Sequence, residues 1–212
     1  MQPQRSSQTQ RRELRAARRQ LSPRQQRQHA ARVTQRLWHH RLYLRARRIA
    51  LYWPTDGELD PRPLLTHARG KACYLPILRP RNTPWGRGKL WFARFRPGDR
   101  MRPNRFGIPE PIARGRRLTL PWNLDLLLMP LVGFDTDCHR LGMGGGFYDR
   151  TLAYLRLRRS WRRPRLLGLA HDCQRIERIE PRPWDIPLES VITECRVYDQ
   201  PRLTGGSAPA FI

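Results

Sequence analysis

The chain is expected to fold as an α/β protein: a three-layer α/β/α sandwich with a mostly parallel, Rossmann-like central sheet and helices at the N-terminal side. Three observations lead there. Short apolar runs bounded by turn residues recur at 48–53, 72–78, 90–95, 124–132, 166–170 and 191–193. Helix-spaced segments lie between several of them, and strands that alternate with helices imply parallel pairing. The run at 124–132 is almost continuously apolar, as a strand covered on both faces must be.

Taken in order, residues 10–20 and 23–40 read as two helices. Ser22 serves as N-cap, Pro23 takes the first helical position and Gln25 completes a capping box. Ala30, Val33 and Leu37 make a narrow apolar stripe, so one face docks and the arginine-rich face is wet. The strand at 48–53 stops at Pro54. A helix follows, capped by Asp60, with Pro61 at its start and Gly70 at its end. The strand at 72–78 leads through a turn-rich connection at 82–88 to an edge strand at 90–95. Residues 96–121 are rich in Pro, Gly and Arg, and Arg105-Phe-Gly-Ile-Pro-Glu-Pro111 is stiff enough for a pocket wall or an ordered crossing loop. After the 124–132 strand come a glycine run, a helix carrying Phe147, Thr151, Tyr154 and Leu155 at helical spacing, and a strand at 166–170. An irregular stretch holds Pro181, Pro183 and Pro187, and a short strand lies near 191–193. Residues 10–200 are expected to form one domain, with 1–9 and 201–212 as loose ends.

Composition narrows the function. The net charge is +25, and all but Lys71 and Lys89 of the 42 basic residues are arginine. Such a field attracts anions. The arginines are spread along the chain rather than gathered in one arm, which favours compositional bias over a polyanion-binding tail. No recognisable nucleic-acid-binding pattern accompanies them, so no specific nucleic acid is expected. Cys73, Cys138, Cys173 and Cys195 lack metal-ligand or disulfide spacing and read as reduced thiols. No apolar run approaches the ~18 residues of a membrane span, and the start lacks a signal-type apolar core, so a cytoplasmic protein is expected.

The most informative segment is Arg140-Leu-Gly-Met-Gly-Gly-Gly-Phe-Tyr-Asp-Arg150. Gly142, Gly144, Gly145 and Gly146 present backbone N–H groups with no side chains in front of them, which lets a phosphate approach several amides at once. A helix opening at Phe147 adds its free amides. Asp149 offers an oxygen ligand for a divalent cation. The cluster alone is equally a tight turn. It is not a Walker A loop. Nor is it a dinucleotide fingerprint, because the third glycine comes early and no strand is expected immediately before it. Glu58, in the turn after the first strand, suits hydrogen bonding to a heteroaromatic ring and Trp53 suits stacking on one; a plain solvated turn is the competing reading. Asp185 would supply a second carboxylate beside Asp149, which suits Mg²⁺, an ion that usually takes one or two protein carboxylates. Arg11 and Arg15 stand one helical turn apart.

These segments, in this order over roughly residues 10 to 198, resemble the 5-formyltetrahydrofolate cyclo-ligase (5,10-methenyltetrahydrofolate synthetase) family, in the style of its gammaproteobacterial members. The residues that carry the resemblance are Arg11-Arg-Glu-Leu-Arg15, Gly57-Glu-Leu-Asp60, Gly107-Ile-Pro-Glu-Pro111, Asp125-Leu-Leu-Leu-Met-Pro130, the glycine segment, Ala170-His-Asp-Cys-Gln174 and Trp184-Asp-Ile-Pro187. Two departures stand out: Arg11 and Gly145 sit where many members have lysine, and Trp184 where others have histidine. The resemblance implies an ATP- and Mg²⁺-dependent ligase of one-carbon folate metabolism. In its reaction the formyl oxygen of 5-formyltetrahydrofolate attacks the γ-phosphate of ATP, N10 closes the ring, and ADP and phosphate leave. It further implies that Arg11, Arg15, Arg140, Leu141, Gly142, Met143, Gly144, Gly145, Gly146, Phe147 and Tyr148 hold ATP, and that Asp149 and Asp185 hold Mg²⁺. Trp53, Glu58, Met143, Gly144, Gly145, Gly146 and Phe147 would line the folate side. The expected partners are ATP and the folate, polyglutamylated or not, bound by a monomer.

Overall fold

The computed structural model describes residues 7–68, 70–78, 88–158 and 163–201. Helix α1 is Ser7–Arg19, starting inside the stretch expected to be loose, and α2 is Pro23–His39. The capping box is present: Ser22 Oγ accepts from Gln25 N at 3.3 Å, and Ser22 N donates to Gln25 Oε1 at 2.9 Å. A short helix not expected from the sequence, α3 (Arg41–Arg45), joins α2 to strand β1 (Arg48–Ala50). Helix α4 is only Pro63–His67. Asp60 does not cap a helix at Pro61; its carboxylate instead accepts from Arg62 N at 2.9 Å in a local turn.

Strand β2 (Ala72–Leu78) precedes β3 (Leu90–Arg94); most of the connection expected at 82–88 lies outside the described residues. The Pro/Gly/Arg-rich region holds a small ribbon, β4 (Met101–Pro103) with β5 (Pro109–Pro111), and the sheet strand β6 (Leu118–Thr119). Strand β7 (Leu126–Pro130) is followed by a second ribbon, β8 (Gly133–Phe134) with β9 (Arg140–Leu141). Helix α5 is Phe147–Leu152, then come β10 (Arg165–Leu169), β11 (Ser190–Ile192) and β12 (Val197–Asp199).

The main sheet runs β12-β11-β10-β7-β1-β2-β3-β6. The five strands from β11 to β2 pair in parallel, while β12, β3 and β6 add antiparallel edges. Alternation within the strands builds the three layers. Ile49, Leu51, Leu126 and Leu128 join Val33, Leu37, Tyr43 and Leu64 from α2, α3 and α4 in one apolar cluster. Ala50, Leu127 and Met129 point the other way, toward Leu152 of α5, Leu155 and Leu188. Leu126, Leu127, Leu128 and Met129 have no exposed surface at all. At about 1.5–3 kcal/mol for each fully buried side chain of this kind, β7 is the central apolar anchor of the sheet.

The chain runs from β1 to β2 on one side, then returns to β7 and continues outward on the other. The reversal falls between β1 and β7. Open α/β sheets form a crevice at the carboxyl ends of the strands at this place. Among the described residues no helix is long and apolar enough to cross a membrane.

Candidate active site

A cleft of about 1150 Å³ opens at that reversal. Its walls come from the segments after β1 (Tyr52, Trp53, Glu58), the end of β2 (Pro76, Leu78), the end of β7 (Pro130 to Val132), the glycine turn, the 104–110 loop and residues 178–185.

Each wall has a local cause. Asp135 is buried after β8, where its carboxylate accepts from the backbone of Asp137 (3.1 Å), His139 (2.9 Å) and Ile179 (2.9 Å). This pins the turn of the β8–β9 ribbon and delivers Arg140 and the glycine run to the cleft. The short strand β9 therefore does end immediately before Gly142, contrary to the sequence expectation. It belongs to a two-stranded ribbon rather than the parallel sheet, so its extended shape left no apolar signature. Gly144 (φ 89°) and Gly146 (φ 62°) both need the left-handed region that glycine tolerates. Arg150 reaches back to Gly145 O at 2.6 Å and lies 5.4 Å over the Phe147 ring, closing the turn from behind. Helix α5 is short and gives way to a 3-10 turn at Ala153–Arg156, so only a short helix dipole stands behind the glycine turn.

The charged groups are paired in a definite order. Arg140, nearly buried, donates to the Asp149 carboxylate and to the carbonyl of Ile186. Burial lowers its affinity for a proton, while Asp149 and then Asp185 raise it, so both carboxylates act on this one guanidinium. Asp185 accepts from Arg182 N at 2.9 Å within a tight turn. Arg11 Nε donates to Gly142 O at 2.7 Å, tying α1 to the glycine turn.

Across the cleft, Glu58 Oε2 accepts from Thr55 N at 3.1 Å. Burial pushes the Glu58 carboxyl above its ordinary value, against the pull of the Thr55 N–H and of Arg18, whose guanidinium stands 3.9 Å away. Tyr148, half-buried, has its hydroxyl pushed up by desolvation and by the Glu58 charge. Trp53 carries the Arg62 guanidinium 4.9 Å over its ring and meets Phe95 edge-on at 6.3 Å. Phe147 meets Phe106 edge-on at 5.8 Å. Phe106 is held in place because Asn104 Oδ1 accepts from its N–H at 2.8 Å, while buried Glu110 ties the same loop to Leu78 N at 2.7 Å.

Arg11, Trp53, Glu58, Arg140, every residue from Leu141 to Tyr148, Asp149 and Asp185 thus border one cleft. Arg15 does not. It turns to Asp56, with Nε 2.7 Å from Oδ2, so of the two arginines one helical turn apart, Arg11 ties to the glycine turn and Arg15 to the turn that carries Glu58. Sequence reading missed Arg18, which is fully buried and bonds Asp56 O (2.8 Å), Asp56 Oδ2 (2.9 Å) and Leu131 O (3.1 Å). It links the turn after β1 to the end of β7, the two elements on either side of the reversal. Nothing distinguishes it in an arginine-rich helix. Glu110 did have a signal, the rigid Ile-Pro-Glu-Pro sequence around it.

Sheet and cleft together define an α/β enzyme of the doubly wound class, with a polar and aromatic crevice at its switch point. Comparison with known proteins is specific. The chain belongs to the 5-formyltetrahydrofolate cyclo-ligase family, whose model matches residues 3–194. It is 37% identical over 190 residues to the 5-formyltetrahydrofolate cyclo-ligase of Escherichia coli K12, covering 88% of this chain and 99% of that protein. The Haemophilus influenzae protein of the same name is 38% identical over 185 residues, covering 85% of this chain and 93% of that protein. The solution structure of Aquifex aeolicus 5,10-methenyltetrahydrofolate synthetase superposes with a TM-score of 0.75 at 26% identity, covering 97% of this chain and 96% of that one.

Proposed function

We propose that the cleft closes 5-formyltetrahydrofolate to 5,10-methenyltetrahydrofolate at the expense of ATP, with the glycine turn on the phosphate side and Glu58 on the pterin side. The observation that carries this reading is the convergence of open glycine amides, two carboxylates and an aromatic wall on one crevice at the sheet reversal. Phosphoryl transfer asks a protein chiefly for positioning and charge neutralisation, and those are the groups present.

Gly142 and Gly144 leave room for phosphate oxygens at the backbone, whereas Phe147 and Arg150 fill the corresponding space at Gly145 and Gly146, and Arg11 stands at the same turn. Arg15, bound to Asp56, acts in this reading by supporting the Glu58 turn rather than by touching phosphate. Asp149 and Asp185 fit Mg²⁺: both are oxygen donors facing the cleft, and this ion usually takes one or two protein carboxylates besides phosphate oxygens. Mg²⁺ would supply charge neutralisation on the phosphates. Asp149 is already paired with Arg140, so seating a cation there exchanges one positive partner for another and frees the guanidinium for phosphate. Glu58, raised by burial yet flanked by Arg18, accepts hydrogen bonds from ring N–H groups, and Trp53, Phe106 and Phe147 give the ring apolar walls. The protein acts in this reading as a cytoplasmic monomer, on folates with or without polyglutamate.

The test mixes protein, Mg·ATP and 5-formyltetrahydrofolate and follows methenyl absorbance, with ATP omitted as control. Glu58→Ala is expected to raise the folate KM by about 10-fold or more with little change for ATP, the cost of a lost buried hydrogen-bond partner. Asp149→Ala is expected to impair use of Mg·ATP instead. Equal, small effects of both changes would overturn the assignment.

A further inference from the structure

Behind the wall that carries Glu58, three side chains from distant parts of the chain converge. His29 comes from the middle of α2, His171 from the carboxyl end of β10, and Glu194 from the turn after β11. Their donor atoms all lie within 4.8 Å of one another. His29 Nδ1 is 2.9 Å from His171 Nδ1 and 3.4 Å from Glu194 Oε1. We infer that His29, His171 and Glu194 form a binding site for a zinc-class divalent cation, separate from the cleft.

The geometry asks for a positive centre. Two ring nitrogens and a carboxylate oxygen, each able to offer a lone pair, are gathered within 4.8 Å of one another. A single proton bridges only one of these pairs, whereas a divalent ion serves all three. Ligands at zinc's usual Zn–N and Zn–O distances of about 2.0–2.2 Å sit about 3.3–3.6 Å apart in a tetrahedron; the His29–Glu194 separation of 3.4 Å falls in that range, and the His29–His171 pair at 2.9 Å would have to open by a few tenths of an ångström. Two imidazoles with one carboxylate select zinc or a similar transition ion over Mg²⁺ or Ca²⁺. His171 is fully buried, so a cation held there would be shielded from solvent on that side. His29 keeps 17% of its side chain exposed, the side from which an ion and a coordinated water enter.

Further contacts hold the Glu194 carboxylate and the His171 backbone in place. Asp172 N donates to both Glu194 oxygens, at 3.3 and 3.0 Å. Gln174 Oε1 accepts from His171 N at 2.9 Å, and Gln174 Nε2 donates to Leu131 O at 2.6 Å and Val132 O at 3.0 Å. An ion there would clip α2 to the ends of β10 and β11 and, through Gln174, to the Leu131–Val132 wall of the cleft. Its role is structural. Cysteine spacing gave no hint of it, because the donors lie 142 and 23 positions apart in the sequence.

The experiment uses untagged full-length protein stripped with a chelator, then dialysed against Zn²⁺ and, separately, Co²⁺ without nucleotide. The expected result is one zinc per chain and visible ligand-field bands of a tetrahedral type with cobalt. His29→Ala and Glu194→Gln should each weaken zinc by more than about 100-fold, beyond the about 10–100-fold of losing an outer contact. Glu194→Gln keeps the side-chain shape, and circular dichroism verifies its fold. A double variant, Asp149→Asn with Asp185→Asn, should bind zinc as the parent does. Absence of stoichiometric zinc, parental affinity in both ligand variants, or loss of zinc in the cleft variant would overturn the inference. Failure of folate turnover with zinc retained would sink only the reading of the cleft.

Discussion

Replacing Arg18 by methionine tests whether the two loops at the sheet reversal are held together by one buried guanidinium. The substitution keeps most of the volume and removes the charge and three hydrogen bonds. Breaking a buried ion pair from one side costs about 3–5 kcal/mol when the partner is stranded. Here the partners are not fully stranded: Asp56 keeps Arg15 and Arg19, and Leu131 O keeps Gln174 Nε2. The low end applies, about 3 kcal/mol. In a chain of this size that lowers Tm by about 6–12 °C. Urea and thermal unfolding of parent, Arg18→Met and Arg18→Lys measure it, with lysine retaining the charge but not the fork. The same variant should raise the folate KM, because Glu58 loses its nearest cation. A loss below about 1 kcal/mol, with KM unchanged, would refute the argument.

Glu58 predicts a pH signature. Its folded value is raised by burial, so its contribution to stability is full below the unfolded carboxyl value and lost as pH rises through the folded one. The Tm of Glu58→Gln minus that of the parent should therefore be more positive at pH 8 than at pH 4; the reverse trend would mean that Arg18 outweighs desolvation. Gly168→Ala places a Cβ 2.8 Å from both Leu131 Cδ1 and Leu188 Cδ1 in the middle of β10, and denaturant midpoints should show a loss of about 1–3 kcal/mol. Native thiol titration should label Cys173 and Cys195, which are exposed. It should spare Cys73 and Cys138, which are buried; access decides, because desolvation raises the exposed Cys173 thiol to about 11 as it does that of Cys73.

Much of the architecture was legible because it rests on periodicity. The apolar run around Leu126–Pro130 marked the central strand, and the Ser22–Gln25 box marked the start of α2. What escaped was held by contacts distant in sequence. Strands β8 and β9 are two residues each, too short for any alternation, and exist because Asp135 gathers their turn. Helix α3 has five residues, three of them Arg41, Leu42 and Arg45, and is set by its position between α2 and β1 rather than by an apolar stripe. At the cleft, residue types announced themselves where glycine frees the backbone or proline restricts it. Arginine did not, because with 42 basic residues the sequence cannot mark which one is buried. Arg11 and Arg15 look equivalent on a helical wheel, and only the position of Asp56 separates them.

The outermost strands of the sheet have a consequence for handling the protein. β6 offers two residues and β12 three, so the open margins present few unpaired backbone groups to another molecule. Short margins are one of the ways β proteins resist zipping together side by side. Combined with mutual repulsion between molecules carrying +25 charges, this favours a chain that stays dispersed at low ionic strength. Clumping, when it comes, should begin with unfolding or with a multivalent anion that bridges arginines, not with sheet joining sheet.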